Sequence, residues 1–455
     1  MSTLILRSRL VIPISRPPID NGVVVIEGSR ITAVGSSVAL PPGDGATVRD
    51  LGESILLPGL INCHCHFDYT DMAGLLPSQK PFTDWIRAMI ALKANWNESQ
   101  FASSWARGAR MLEGSGTTSV VNIESLPQLL PDAWKATPLR LWSCLELINI
   151  HSTLPPEKVI STAISQLPDD RQDPTKRWGL SPHAPYSTTE ALRQLTLQRA
   201  EKGQHLITTH VAESDEEFDL YENASGALFD WLHPHSRPAC CGTHSPVGML
   251  DETGYLTSRL LVAHCNRLAT GDEDRLSRAG CSVVHCPRSH AYFDHHPFPW
   301  QRLDKAGVNL TLGTDSLAST SPEGNRPPRL DLFAEMAQLA GQKNAPEPKE
   351  ILRWATLNGA KAIHQTGRLG ELREGALADL IAVPYSGPAT QADDYLVHFQ
   401  DTVTFSMING KTLTPPRSRA ASLAPSQNLE SNGEEPSSQD RVISQETRVR
   451  REGPA

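Results

Sequence analysis

GLINCHCHFDYT, residues 59–70, continues the apolar run SILLPGLI (54–61) and carries a histidine pair, His64 and His66. The run reads as the approach into a buried strand. In a strand, residues two apart point the same way, so His64 and His66 share one face and Cys63 and Cys65 the other. Two imidazoles side by side at a strand end can hold one metal ion. A mixed His/Cys site is excluded from this segment, because the thiols look away. Taken alone, the pair reads as two histidines at the start of a polar loop.

Further along come TTHVAES (208–214), LVAHC (261–265) and LGTDS (312–316), each a ligand-type residue closing an apolar, β-rich run. Between the termini, strand-like runs alternate with helix-like ones, which predicts parallel βα units. Eight runs qualify as strands: 60–66, 117–123, 139–148, 177–183, 205–211, 259–264, 281–286 and 308–314. The stretches 84–96, 99–114, 189–203 and 329–341 read as helices between or after them. Eight strands over about 250 residues is the arithmetic of an α/β fold, a (β/α)8 barrel, whose chemistry sits at the C-terminal strand ends. Each ligand-type residue above lies at such an end.

Short alternating runs at 4–12, 22–28 and 30–35, with turn signals at Asp20-Asn21-Gly22 and Pro41-Pro42-Gly43-Asp44, read as a small antiparallel β unit. Similar runs return at 370–384 and 403–413. The expected division is a composite β-sandwich from residues 1–57 and 366–413, a barrel over 58–365, and a tail over 414–455. The tail has no aromatic residue and is dominated by Ser, Glu, Arg, Pro and Gln, so disorder is expected there.

The chain has 455 residues, 39% hydrophobic and 20% charged, which suits a soluble globular protein. A net charge of −9 without a dense basic stripe argues against a nucleic-acid partner. No apolar run approaches the roughly 20 residues needed to span a bilayer, and the N-terminus is too rich in Arg and Pro for a signal peptide. Eight cysteines occur without a CxxC pair, most of them in apolar strand-like runs, where cysteine behaves as a small hydrophobe. A reducing cytoplasm is the simplest home.

In order, the motifs PGLINCHCH, SPHAPYS, HVAES, AHC and GTDS resemble those of the metal-dependent amidohydrolase superfamily. The similarity covers about residues 3–412 and points to its cytosine-deaminase-like and chlorohydrolase-like branch. SPHAPYS and CPRSHAYF point further, to aminodeoxyfutalosine and S-adenosylhomocysteine/adenosine deaminases. The resemblance implies a barrel beside a small β domain built from both chain ends.

Within that frame the expected metal ligands are His64, His66, His210 and Asp315. Three imidazoles and a carboxylate suit Zn2+, and Fe2+ or Mn2+ is compatible with the same set. Alone, His210 reads as a backbone-satisfied core histidine, and Asp315 as a helix N-cap. Relatives with two ions bridge them through a carboxylated lysine on the fourth strand. Here WGLSPHAPY presents His183 and no lysine, so one ion is expected. A substitute bridge from Glu146 is the weaker reading beside a substrate contact or a buried, paired carboxylate.

A metal ion can bring the pKa of a bound water down to about 7. Ammonia release also needs a proton shuttle, and Glu213, three residues past His210, is placed for it. Its neighbours Asp215 and Glu216 read as the start of the next helix. The resemblance gives His264 a hydrogen bond to the attacking water; a structural histidine is the alternative. It also makes His183 and Tyr186 substrate contacts. Arg288 and His290 are further candidates, and Phe82 and Trp85 could cover an aromatic ring. Packing is the alternative for each of these. Three histidines in 290–300 read as a pocket-rim loop rather than a second metal site.

The expected activity is deamination of an aminated heterocycle, an adenine-containing nucleoside foremost. A triazine-type amino- or chlorohydrolase and a guanine- or cytosine-type deaminase are the sibling readings. Glu213 weakens dechlorination, because chloride leaves without a proton. A catalytically inactive scaffold is the reading from another class, and the retained site set speaks against it. The expected partner is a small heterocycle, with no nucleic acid and no membrane; a homodimer is allowed.

Overall fold

Strand formation follows the apolar runs closely. In chain order the strands are β1 (Thr3–Val11), β2 (Ile19–Glu27), β3 (Arg30–Ser36), β4 (Thr47–Asp50), β5 (Ser54–Pro58), β6 (Leu60–Cys65), β7 (Thr117–Glu124), β8 (Arg140–Leu147), β9 (Lys176–Pro182), β10 (Leu206–Val211), β11 (Leu260–His264), β12 (Ser282–His285), β13 (Asn309–Leu312), β14 (Leu380–Pro384), β15 (Phe405–Ile408) and β16 (Lys411–Leu413). The computed structural model describes residues 3–40, 43, 45–76, 81–168, 173–232, 241–322 and 327–413. The tail expected to be disordered, and most of the turn at 41–44, lie outside them.

β6 to β13 pair in sequence order, every neighbour parallel, and a Cys65–Asp315 bridge joins the last strand end to the first. This is the (β/α)8 barrel. Its strands are buried on both faces, which is why they read as near-continuous apolar runs instead of alternating ones. The helices that matter for the site are α1 (Phe82–Ala94), α2 (Glu98–Gly114), α3 (Glu190–Gly203), α4 (Asp215–Phe218) and α5 (Leu332–Ala340). The starts of α2, α3 and α4 are written locally. Asn97 and Gln100 form a capping box for α2, and Thr189 and Ser214 accept backbone N–H groups from Leu192 and Glu217 at the starts of α3 and α4.

The terminal strands form one hydrogen-bonded sheet, ordered β16-β15-β14-β5-β1-β2-β3 with β4 beside β1. Two local expectations change. β4 and β5 run parallel to β1 rather than antiparallel, because the connection after β3 is a crossover and not a tight hairpin. Asp20-Asn21-Gly22 lies inside β2: Asn21 adopts φ 46°, and pairing with β1 keeps the same register on either side of it. The Asn409-Gly410 step between β15 and β16 has φ of 51° and 74°, the two left-handed residues of a tight hairpin turn.

All seven described cysteines are buried and unbridged. No described helix is long and apolar enough to cross a membrane.

Candidate active site and metal centre

Five polar side chains meet at the C-terminal mouth of the barrel. His64 comes from the end of β6 and His66 from just beyond it, His210 from β10, His264 from the last residue of β11, and Asp315 from the loop after β13. Their ligand-type atoms fall into two groups, His64/His210/His264 and His64/His66/Asp315, in each of which the atoms lie within 4.8 Å of one another. Cys63 faces outward instead, its thiol against the Gly359 carbonyl. The backbone bends to make the convergence: His264 and Asp315 have φ of 76° and 52°, and Ala212, before Glu213, has 54°. Left-handed non-glycine residues are costly, and their clustering here is a mark of a functional site.

Hydrogen bonds aim the ligand atoms. The His183 carbonyl lies 2.7 Å from His210 Nδ1, so a proton on that nitrogen leaves Nε2 with its lone pair directed inward. Asp315 Oδ2 accepts from the hydroxyls of Ser289 at 2.6 Å and Ser319 at 3.2 Å. Its other oxygen faces His64 Nε2 at 3.6 Å and His66 Nε2 at 3.7 Å, beyond direct bonding. Asp315 caps no helix, since Ser316 occupies that position for the short turn that follows.

Burial, with the neighbouring His64 imidazole adding to it, lowers His66 to about 3. Burial also drives His264 to about 3 and His210 well below its ordinary value. Burial works against ionisation of Asp315, but the imidazoles of His64, His264 and His66 outweigh it and hold the carboxyl well below the usual range. Neutral imidazoles beside an ionised carboxylate are the protonation states a divalent cation requires. Both nitrogens of His64, and Nε2 of His264, are buried with no hydrogen-bond partner. Buried polar atoms left without partners are costly, and a cation between them supplies what they lack. The residues fit a metal.

Glu213 stands beside this cluster, Oε1 at 3.6 Å from His264 Nε2. Its backbone is pinned at both ends: the N–H donates to Glu217 Oε2 at 2.9 Å, and the carbonyl accepts from Asn266 Nδ2 at 2.9 Å. Burial, then the charge of Asp315, pushes its carboxyl well above the ordinary value.

A cavity opens over the cluster, and His66, His210, Glu213 and Asp315 line it. Of the expected substrate contacts, Glu146, His183, Tyr186, Phe82 and Trp85 line it. Arg288 and His290 do not. Arg288 is buried against Glu335, its N–H bonded to that carboxylate at 2.8 Å and its guanidinium to the Arg329 carbonyl at 2.7 Å. The His290 ring lies 3.0 Å from Asn266 Oδ1 and packs edge-on to His285 and Phe298. Both sit on a short helix, 287–292, and both are buried.

Tyr69 and Lys93 are among the lining groups that a reading of strand ends misses. Lys93 lies 3.8 Å from Glu146, donates to the Tyr69 hydroxyl, and sits over the Tyr69 ring. Burial would lower its ammonium, but Tyr69, Glu146 and Asp68 together hold it above its ordinary value. A signal for Lys93 did exist. Phe82, Trp85, Ile86, Met89, Ile90 and Lys93 form a helical stripe, and the whole stripe faces the cavity.

Comparison with known proteins agrees with this architecture. A 5-methylthioadenosine/S-adenosylhomocysteine deaminase of Syntrophobacter fumaroxidans is 30% identical over 384 residues, 81% of each chain. An aminodeoxyfutalosine deaminase of Deinococcus radiodurans is 27% identical, covering 78% of this chain and 84% of its own. The crystal structure of an adenosine deaminase from Xanthomonas campestris with bound zinc superposes with a TM-score of 0.77. That superposition covers 90% of this chain and 92% of that one at 24% identity, a likeness of fold. The model of the amidohydrolase family matches residues 55–413, from the strand before the histidine pair to the last strand of the terminal sheet. With strand-end histidines, aspartate and barrel all inside that span, the chain belongs to the amidohydrolase family.

Proposed function

We propose that this protein is a metal-dependent deaminase that hydrolyses the exocyclic C–N bond of an adenine ring in a nucleoside. The observation that carries it is Glu213, a buried carboxyl with a raised pKa that lines the cavity, 3.6 Å from His264 and beside the ligand cluster. The relatives' names, all adenine-nucleoside deaminases, support the same substrate class.

His64, His66, His210 and Asp315 would hold a single divalent ion, zinc by its preference for nitrogen and carboxylate donors. Such an ion lowers the pKa of a water from 15.7 to about 7. The remaining work belongs to side chains. Glu213 is placed to take a proton from the attacking water and would deliver it to the ring nitrogen next to the carbon under attack. His264, hydrogen-bonding at the same point, stabilises the charge that develops. Glu213 then carries the second proton to the departing amine, so that water and the amino compound become the ring carbonyl and ammonia. Phe82 and Trp85 cover one face of the ring, with Phe293 edge-on to Trp85 at 5.1 Å.

The test is ammonia release by the metal-loaded protein from 5'-deoxyadenosine, 5'-methylthioadenosine, S-adenosylhomocysteine and aminodeoxyfutalosine, with guanine and an aminotriazine as controls. Turnover of at least one adenine nucleoside is expected, and activity confined to the controls would refute the reading. Glu213→Gln should lose about 10²–10⁴ in kcat while keeping its metal, because no proposed ligand is touched. A variant that retains parental turnover removes Glu213 from the mechanism.

A further inference from the structure

The helix that walls the cavity is capped by a residue from another element. At the start of α1 the N-cap position is Pro81, whose side chain caps nothing. The N–H of Thr83, one of those a helix leaves unpaired at its first turn, donates instead to Glu216 Oε2 at 2.7 Å. The Thr83 hydroxyl donates to the same oxygen, and Thr83 is fully buried. A carboxylate at a helix start also meets the positive end of the helix dipole.

Glu216 lies in α4, the single turn that follows Glu213. The next residue, Glu217, uses its own carboxylate to accept the Glu213 N–H at 2.9 Å. One turn of helix therefore grips two things at once, the backbone of Glu213 on one side and the start of α1 on the other. From α1, Trp85, Met89 and Lys93 reach the cavity. Arg87 of α1 lies over the ring of Trp231, another lining residue, 5.3 Å from its centroid.

We propose that Glu216 is a positioning residue for substrate binding: through Thr83 it fixes α1 in register with the strand end that carries Glu213. The substrate-facing wall and the proton-carrying group are thereby held in one frame. Glu216 itself does not line the cavity, so its influence passes through Thr83 and the α1 backbone. The kinetic arm of this inference rests on the proposed deaminase reading.

The experiment compares Glu216→Ala and Glu216→Gln with the parent by steady-state kinetics on the best adenine nucleoside. Metal content and hydrogen exchange at the amides of 82–86 are measured on the same preparations. Glu216→Ala should speed exchange across that first turn and raise KM by about tenfold, the factor that the loss of one capping interaction corresponds to. Its kcat and metal content should stay near parental. Glu216→Gln should fall between the two, since its amide oxygen still accepts the Thr83 N–H. Unchanged exchange overturns the contact. Faster exchange with unchanged KM makes Glu216 merely structural and overturns the positioning role, as does loss of metal. Absence of turnover in the parent would refute the deaminase reading separately, while the exchange measurement, which needs no substrate, still decides whether Glu216 holds α1.

Discussion

Asp315 shows how much of this site is set by single hydrogen bonds. Two hydroxyls, from Ser289 and Ser319, take one carboxylate oxygen and leave the other facing His64 and His66. The Ser289 bond is the shorter, at 2.6 Å. Removing a group that orients a ligand typically costs 10–100-fold in metal affinity. Ser289→Ala should therefore weaken metal binding by about 10-fold or more, measured by competition with a chelator of known affinity. At saturating metal its kcat should remain close to parental, because Glu213 and His264 are untouched. Equal affinity in variant and parent would mean that Ser319 alone orients Asp315. Ser289 belongs to the same CPRSHAYF motif that drew attention to Arg288 and His290, yet it is the serine between them that reaches the site.

At the scale of elements, α2 and the short turn after His66 are packed without slack. Gly108 lies in the interior of α2, where a Cβ would collide with Thr70 Oγ1 and lie 3.0 Å from Phe67 Cδ1 and 3.1 Å from Leu330 Cδ1. Gly to Ala inside a helix ordinarily gains roughly 0.5–1 kcal/mol. Overpacking a tight contact costs about 1–3 kcal/mol, so the packing effect prevails. Gly108→Ala should destabilise the protein by about 1–2 kcal/mol, read from the midpoint of denaturant unfolding. A stabilised variant would show that the turn at 67–72 yields easily. α1 illustrates the opposite case, an amphipathic stripe that reads as a barrel-facing helix but spends its apolar face on the cavity wall. Helical periodicity reports that a face is covered and does not report what covers it.

Across the whole molecule, the barrel and the terminal sheet are joined by a buried ion pair. Arg140, at the start of β8, makes two bonds to Asp379, at 2.9 and 3.1 Å. Asp379 also accepts the Asn409 N–H at 2.7 Å, so it ties β8 to the β15–β16 hairpin. Arg140→Met leaves that carboxylate buried without its cation, which should cost about 3–5 kcal/mol. Arg140→Met combined with Asp379→Asn should recover part of the loss. Thermal unfolding of the three proteins checks both statements, and a single variant as stable as the parent would show that the pair contributes no net stability. The pairing joins residues far apart in sequence, and neither lies in a motif.

The sequence by itself determined the strands, the barrel arithmetic and the strand-end set His64, His66, His210, Glu213, His264 and Asp315. These are short-range properties. A parallel strand buried on both faces must be apolar throughout, so a polar residue that closes the run marks its end, and spacing by two settles the face. The aim of side chains that leave a helix or a loop was decided only by the tertiary structure. Arg288 and His290 turn to Glu335 and Asn266, whereas Lys93 and Tyr69 enter the cavity, and Glu216 reaches across to cap α1. Such directions depend on partners far along the chain that satisfy the buried charge or free N–H, and local periodicity carries no record of them.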